Sequence, residues 1–270
     1  MPDDRPIPLT PEDRIEPHPA LGEHIDNFPS RRMPPLLLVW GSLIAVSLLF
    51  NIATYQIDLS AYGPWIATVF GVAALGSGWW VMHLWNREVI MYKHGFTYRE
   101  GSKNVPFRYV ELAAIRLRAE QYAAFGGLIK RTVYRITLRT HAGDVIRLNN
   151  IYRRVTTLGD KLNQIITDQR RPEIQEALAA GEAVPFTDYL TLSSDGFTVR
   201  ADELLDAGDE DAHLPWADYG GYNIAQRQLR LQTRDGATWF SMPLYEVDNL
   251  LLLIELLREH ETPGEPAAQP

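Results

Sequence analysis

The chain has 270 residues, 46% of them hydrophobic, a formal net charge of −8 and no cysteine. Without cysteine there can be no disulfide framework, no thiolate metal site and no cysteine nucleophile. The net charge conceals an opposition: residues 86–171 hold 17 Lys and Arg against 7 Asp and Glu, a balance of +10, whereas residues 172–270 hold 5 against 19, or −14.

Residues 1–33 contain seven prolines and charges of both signs, with little apolar periodicity beyond Leu21, Ile25 and Phe28. This composition predicts a disordered cytoplasmic arm, with room for a short helix over Ala20–Asn27. An apolar double run then extends from Met33 to Asn86, broken by one charged residue, Asp58. Each half has roughly 20 consecutive uncharged residues, about what a 30 Å hydrocarbon core requires. The spans are placed at about 35–53 and 65–84, forming a transmembrane hairpin over 34–86.

The connecting stretch lacks Lys and Arg, while Arg31 and Arg32 precede the pair and Arg87, Lys93, Arg99 and Lys103 follow it. The bias predicts a multi-pass protein of the cell (cytoplasmic) membrane with both termini cytoplasmic. Tyr55, Tyr62 and Trp65 would mark the outer interface, and Trp79, Trp80 and Trp85 the inner one. Ala67, Gly71, Ala74 and Gly78 fall on one helical stripe, and Gly41 and Ala45 are four apart, which predicts close packing within the hairpin, with a homo-oligomer seam as the alternative. A cleaved signal peptide does not fit, because some thirty polar residues precede the first run and a second run follows at once.

After the hairpin the pattern shifts to short alternating strands. Val89–Tyr92 and Phe96–Tyr98 flank Lys93-His94-Gly95, a hairpin signal in which Gly95 is expected to take a positive φ. Strands are further predicted over 105–110, 112–117, 133–138 and 145–148, and then a helix from about Arg153 that Pro172 terminates. The same order returns about a hundred residues later. Gly-Phe-Thr occurs at 95–97 and 196–198, and Val105-Pro-Phe answers to Leu214-Pro-Trp. Thr140-His-Ala-Gly answers to Thr233-Arg-Asp-Gly, and Ile151-Tyr to Leu244-Tyr. Two copies of one domain are the reading.

Each copy orders six or seven short antiparallel strands before one C-terminal helix, which is similar to the pleckstrin-homology (PH) fold. With His94-Gly-Phe, Ala180-Gly-Glu-Ala-Val-Pro-Phe, Leu190-Thr-Leu-Ser-Ser-Asp-Gly-Phe and Leu214-Pro-Trp, the chain resembles an uncharacterised bacterial membrane protein family with tandem PH-like domains. The resemblance implies a fold class, α+β and mainly β: a two-helix transmembrane hairpin, then two bent antiparallel sheets each closed by a helix. It implies no activity, and the inositol-phosphate basic motif of eukaryotic PH domains has no match here. The expected boundaries are an arm at 1–33, the hairpin at 34–86, a basic first domain at 87–171, an acidic second domain at 172–261 and a disordered tail at 262–270.

A basic domain directly after a cytoplasmic membrane end should lean on anionic headgroups, which attract each nearby cation by roughly 1 kcal/mol. The headgroup candidates are Lys93, Lys103, Lys130, Arg131, Arg135, Arg139, Arg153 and Arg154; the competing destination for their charge is the acidic second copy. That copy carries an acidic insert at 202–213 and the apolar run Leu250-Leu-Leu-Leu-Ile, expected to be a core helix, with a partner groove as the alternative. The seven histidines show no metal spacing, and no nucleophile elbow, phosphate loop or nucleic-acid motif occurs, so no enzyme, cofactor, metal or nucleic acid is expected. The expected role is a membrane-anchored binding or scaffolding module whose first domain meets anionic lipid and whose second meets a protein. The alternative is a structural or regulatory subunit of another membrane protein.

Overall fold

Mixed helix and antiparallel sheet is what the chain forms in a computed structural model, which describes residues 18–30, 34–56, 63–100, 103–124, 129–200 and 211–260. The elements group into two units. One comprises Met1–Arg108 with Ile151–Arg154, the other Tyr109–Asn150 with the chain from Val155 onward. The acidic stretch 202–210, residues 1–17 and the tail from 261 lie outside the described residues.

In the first unit β1 (His24–Pro29) precedes α1 (Pro34–Gln56) and α2 (Gly63–Trp85), and β2 (Glu88–Tyr92), β3 (Gly95–Glu100) and β4 (Lys103–Arg108) follow. The four strands form one antiparallel sheet in the order β1-β2-β3-β4. The expected disordered arm, and the short helix within it, therefore give way over residues 18–30 to a turn and a strand. Their ordering has a plain cause: Leu21 and Phe28 are fully buried, and β1 pairs along β2 from His24↔Tyr92 to Pro29↔Glu88.

The two helices are thus an insertion between paired strands. Ser30 N–H donates to the Arg87 carbonyl at 2.9 Å, and Ser30 Oγ donates to the Trp85 carbonyl at 2.6 Å. Of the pair, Gly63–Trp85 is long and apolar enough to cross a membrane by length and composition, while in α1 the described apolar stretch is Trp40–Ala53. Leu38, Leu49, Leu75 and Trp79 point outward. Trp40 Nε1 donates to the Ala74 carbonyl at 2.9 Å and lies 3.0 Å from where a Cβ on Gly78 would sit, so the small residues that receive α1 are Ala74 and Gly78. Gly41 and Gly71 meet nothing within 4 Å.

The second unit opens with a 3-10 turn at Tyr109–Glu111, then β5 (Leu112–Ala124), β6 (Ile129–Thr140) and β7 (Val145–Asn149), a three-stranded sheet in sequence order. Next comes α3 (Val155–Ala179). It runs through Pro172, where the sequence predicts a stop, and so spans the expected domain boundary at 171/172. A proline inside a helix costs about 3 kcal/mol, and here packing beyond it compensates: Ile174 is buried in the later core with Ala177 and Leu178 against it, and Arg171 pairs with Glu255. A four-stranded sheet of β8 (Val184–Pro185), β9 (Leu190–Leu192), β10 (Gly196–Val199) and β11 (Ala212–Pro215) follows. After it come a three-stranded sheet of β12 (Tyr219–Ala225), β13 (Gln228–Thr233) and β14 (Thr238–Pro243), a 3-10 turn at Leu244–Glu246, and α4 (Leu250–Glu259). On α4, Leu252, Leu253, Leu256 and Leu257 are buried with Leu190, Phe197, Leu229 and Met242 in one core, as the apolar run predicts.

The segments matched in sequence share local geometry. Thr140 and Thr233 open matching turns, each accepting from a glycine N–H three residues on, Gly143 with φ +91° and Gly236 with φ +85°. Arg154 and Asn249, each immediately before a closing helix, share a left-handed φ of 52° and 51°. Gly95 pairs with Arg108 and Gly196 with Pro215. A Cβ on either glycine would lie 2.1 Å from a cross-strand carbonyl oxygen, of Phe107 and Leu214 respectively. Close approach is therefore what Gly95 provides, and the positive φ expected of it is not found. The pairing also corrects one sequence match: Leu214 opposes Phe197 as Phe107 opposes Phe96, so Leu214-Pro-Trp is displaced by two residues from Val105-Pro-Phe. A slip of two leaves every side chain on its own face, which is why alternation could not detect it.

Candidate functional site

In β5, β6 and β7 the apolar residues take one face: Ile115, Ile136, Leu138, Ile146 and Leu148 are buried, as are Leu158 and Leu162 of α3. Period-2 alternation must then send their neighbours to the opposite face. Cross-strand register assembles them, with Arg116 opposite Thr137 opposite Arg147, and Arg118 opposite Arg135 opposite Asn149. Five arginines, at 116, 118, 135, 139 and 147, share one face of a three-stranded sheet.

Part of this charge is neutralised within the chain. Arg116 donates from Nε to Asp248 Oδ1 at 2.5 Å and from a terminal nitrogen to Asp248 Oδ2 at 3.1 Å, and Arg139 lies 3.4 Å from the same carboxylate. Asp188 is 3.8 Å from Arg116. Burial opposes the charge on Arg116, but hydrogen bonding to Asp248 and the fields of Asp248, Asp188 and Glu246 outweigh it and raise its pKa further. Arg118 pairs with Glu120 and lies over the Tyr245 ring at 4.3 Å, a favourable cation–π distance.

Beside this face, the residue before α4 covers the free edge of β5. Asn249 N–H donates to the Ile115 carbonyl at 2.9 Å; its Oδ1 accepts from Ile115 N–H at 3.1 Å, and its Nδ2 donates to the Ala113 carbonyl at 3.2 Å. An edge strand presents such groups unpaired, and Asn249 supplies the missing partners. We expect Asn249→Ala to cost about 2–3 kcal/mol, because it deletes one buried and one part-buried hydrogen bond and forces alanine into a left-handed φ. Asn249→Gly keeps the φ and should cost about 1–2 kcal/mol. Urea unfolding of the detergent-solubilised chain checks the order, and an alanine variant at least as stable as the glycine one refutes it.

The eight residues picked from sequence do not form one set. Arg135 and Arg139 are on the arginine face. Lys130 and Arg131 fall outside the residues whose side chains are described. In the first unit Lys93 occupies the β2–β3 turn, whereas Lys103 opposes Glu100 at the end of the sheet where Glu88 follows the helices. Five residues of strand, about 17 Å, separate these ends. Arg153 is at the helix end, its N–H donating to the Pro29 carbonyl at 2.9 Å. Arg154 is held structurally, donating to Asp26 at 2.9 Å and to the Asn27 carbonyl at 3.0 Å, with its guanidinium 5.0 Å from the Phe28 ring centre. Arg116, Arg118 and Arg147 went unselected although the alternation Ile115-Arg-Leu-Arg and Ile146-Arg-Leu predicts their face; grouping residues by strand face instead of by proximity along the chain finds them.

The face offers guanidinium groups and amide and hydroxyl donors beside a groove. Among the described residues no three His, Asp or Glu gather as a metal site. Compared with known proteins, residues 13–265 match the model of a family described as "Family of unknown function (DUF6585)". No curated protein matches the chain.

Proposed function

The chain belongs to the DUF6585 family, whose function is unknown, and we propose that it is a two-span membrane protein presenting two tandem PH-like domains in the cytoplasm as a binding or scaffolding module. One observation carries this reading, the Ser30–Arg87 hydrogen bond that continues the β1–β2 pairing. A chain that leaves and returns at one hydrogen-bonded point crosses a membrane an even number of times. In this reading α2, long and apolar enough to cross, is paired with α1 and its apolar stretch Trp40–Ala53 as the returning partner. Two charge features of the sequence support both ends lying inside, the basic flanks and the connection free of Lys and Arg.

The PH-like reading is supported by the repeated order of four strands, three strands and a helix, with the hairpin inserted between the first and second strands of the first copy. Where that copy has residues 29–88 between Phe28 and Val89, the second has only residues 187–189 between Phe186 and Leu190. Phe28 and Phe186 are both buried at this position. The sheet end next to the helices carries Lys103 and Arg153, which become the cations placed to meet anionic headgroups; Lys93, at the far end, does not. The acidic second copy is left to engage a protein.

Because the chain lacks cysteine, single thiols test the topology. Ser60→Cys should react with a membrane-impermeant maleimide only from outside intact cells, and Ser102→Cys only from the cytoplasmic side of inverted vesicles. Both thiols reacting from the same side would reject the two-span reading.

A further inference from the structure

The arginine face continues into a cavity of about 540 Å³, lined by Arg116, Arg118, Arg135, Thr137, Arg147 and Asn149 of the sheet and by Tyr245 and Glu246 before α4. Within it, Arg118 and Arg135 are direct cross-strand partners, an arrangement that like charges make unfavourable. Carboxylates relieve some of the crowding. Glu120 pairs with Arg118, Asp248 with Arg116 and Arg139, and Glu246 accepts from the Tyr189 hydroxyl at 2.8 Å. Arg135 and Arg147 have no ion-pair partner among the described residues. They are diagonal neighbours on β6 and β7, roughly 7 Å apart along the sheet, and Thr137, two residues from Arg135, is the cross-strand partner of Arg147.

We infer that this groove is a binding site for a phosphate-bearing anion, gripped by Arg135 and Arg147, with Arg118 and Thr137 contributing further donors. Two guanidiniums on adjacent strands, without an ion-pair partner among the described residues, match the geometry in which arginine binds phosphate, through paired N–H donors at fixed spacing. The already paired arginines complete the wall: Asp248 holds Arg116 and leaves the centre of the groove to the free pair. A phosphate brought between Arg135 and Arg147 would relieve the repulsion that Arg118 and Arg135 otherwise impose across the strands. The site goes beyond the anchoring proposed above, since every residue of it belongs to the unit that begins at Tyr109.

The test uses the full-length chain in nanodiscs of neutral phosphatidylcholine, with pyrophosphate as the calorimetric probe. Wild-type protein should bind, and the Arg135→Gln/Arg147→Gln variant should bind at least about tenfold more weakly with unchanged thermal unfolding. Lys93→Gln/Lys161→Gln, which removes the same charge outside the groove, should bind like wild type. Absence of wild-type binding, an unaltered affinity in the arginine variant or an equal loss in the lysine variant overturns the inference. Discs containing phosphatidic acid then separate the sources: competition with pyrophosphate shows the phosphate to be a lipid headgroup, and full retention of affinity shows it to be a soluble compound. The probe acts in neutral discs, so this result is independent of the labelling that tests topology.

Discussion

Replacing Gly196 by alanine is expected to dismantle the β8–β11 sheet, at a cost above about 4 kcal/mol. The added Cβ would sit 2.1 Å from the Leu214 carbonyl oxygen and 2.8 Å from Pro215 Cα, with φ at +154°. All the offending atoms are backbone. No rotamer change relieves them, and moving β11 away would break the Gly196↔Pro215 pairing and open the core around Phe197. Gly143→Ala is the control, because its φ of +91° is strained but nothing lies within 4 Å; it should cost only about 1 kcal/mol. Circular dichroism on heating distinguishes the two, and an alanine at 196 that melts within a few degrees of wild type would refute the close-approach assignment.

Asp248→Asn should produce the next largest loss, about 2–4 kcal/mol. The Asp248 carboxylate, with 12% of its side chain exposed, faces Arg116 at 23% exposure through two hydrogen bonds. The asparagine variant leaves Arg116 desolvated without its counter-charge and removes the nearby partner of Arg139. Because the pair is largely shielded from solvent, high salt should not reproduce the effect. Replacing both partners with apolar residues, Arg116→Met with Asp248→Leu, should recover much of the loss, since removing a whole buried pair costs far less than removing half of it. Hydrogen exchange at the Ile115 amide, bonded to Asn249 beside Asp248, provides a local readout; protection there that survives Asp248→Asn would count against the coupling.

The sequence made some of these features legible and hid others for identifiable reasons. The apolar double run marks α1 and α2 to within a few residues because composition alone specifies them. Gly-Phe-Thr at 95–97 and 196–198 reveals the repeat, since a glycine that must admit a cross-strand carbonyl cannot drift. By contrast β1 has a weak pattern of its own, with Ile25 exposed and Phe28 buried, and its partner lies about sixty residues away beyond two helices. Local propensity cannot signal so distant a pairing. Pro172 misleads because a proline is locally a helix terminator, while the packing of Ile174, Ala177 and Leu178 that overrides it is tertiary. The arginine face was half visible: the positive balance of residues 86–171 is a property of composition, but which cations stand together depends on register, and which remain unneutralised depends on Asp248 and Glu120.

The place of the helices between β1 and β2 also governs the order of assembly. Residues 24–29 are synthesised before either helix and residues 88–92 after both, so the first strand emerges with no partner and must wait while the whole apolar pair is made. Domains form during synthesis as their parts become available, and here the last part is supplied only once the helices have come back to where they started. A chain whose helices failed to return would leave Phe28 and Leu21 uncovered and an unpaired edge on β2, the surface that quality-control proteases and chaperones bind. Completion of this sheet therefore depends on both helices having been made first.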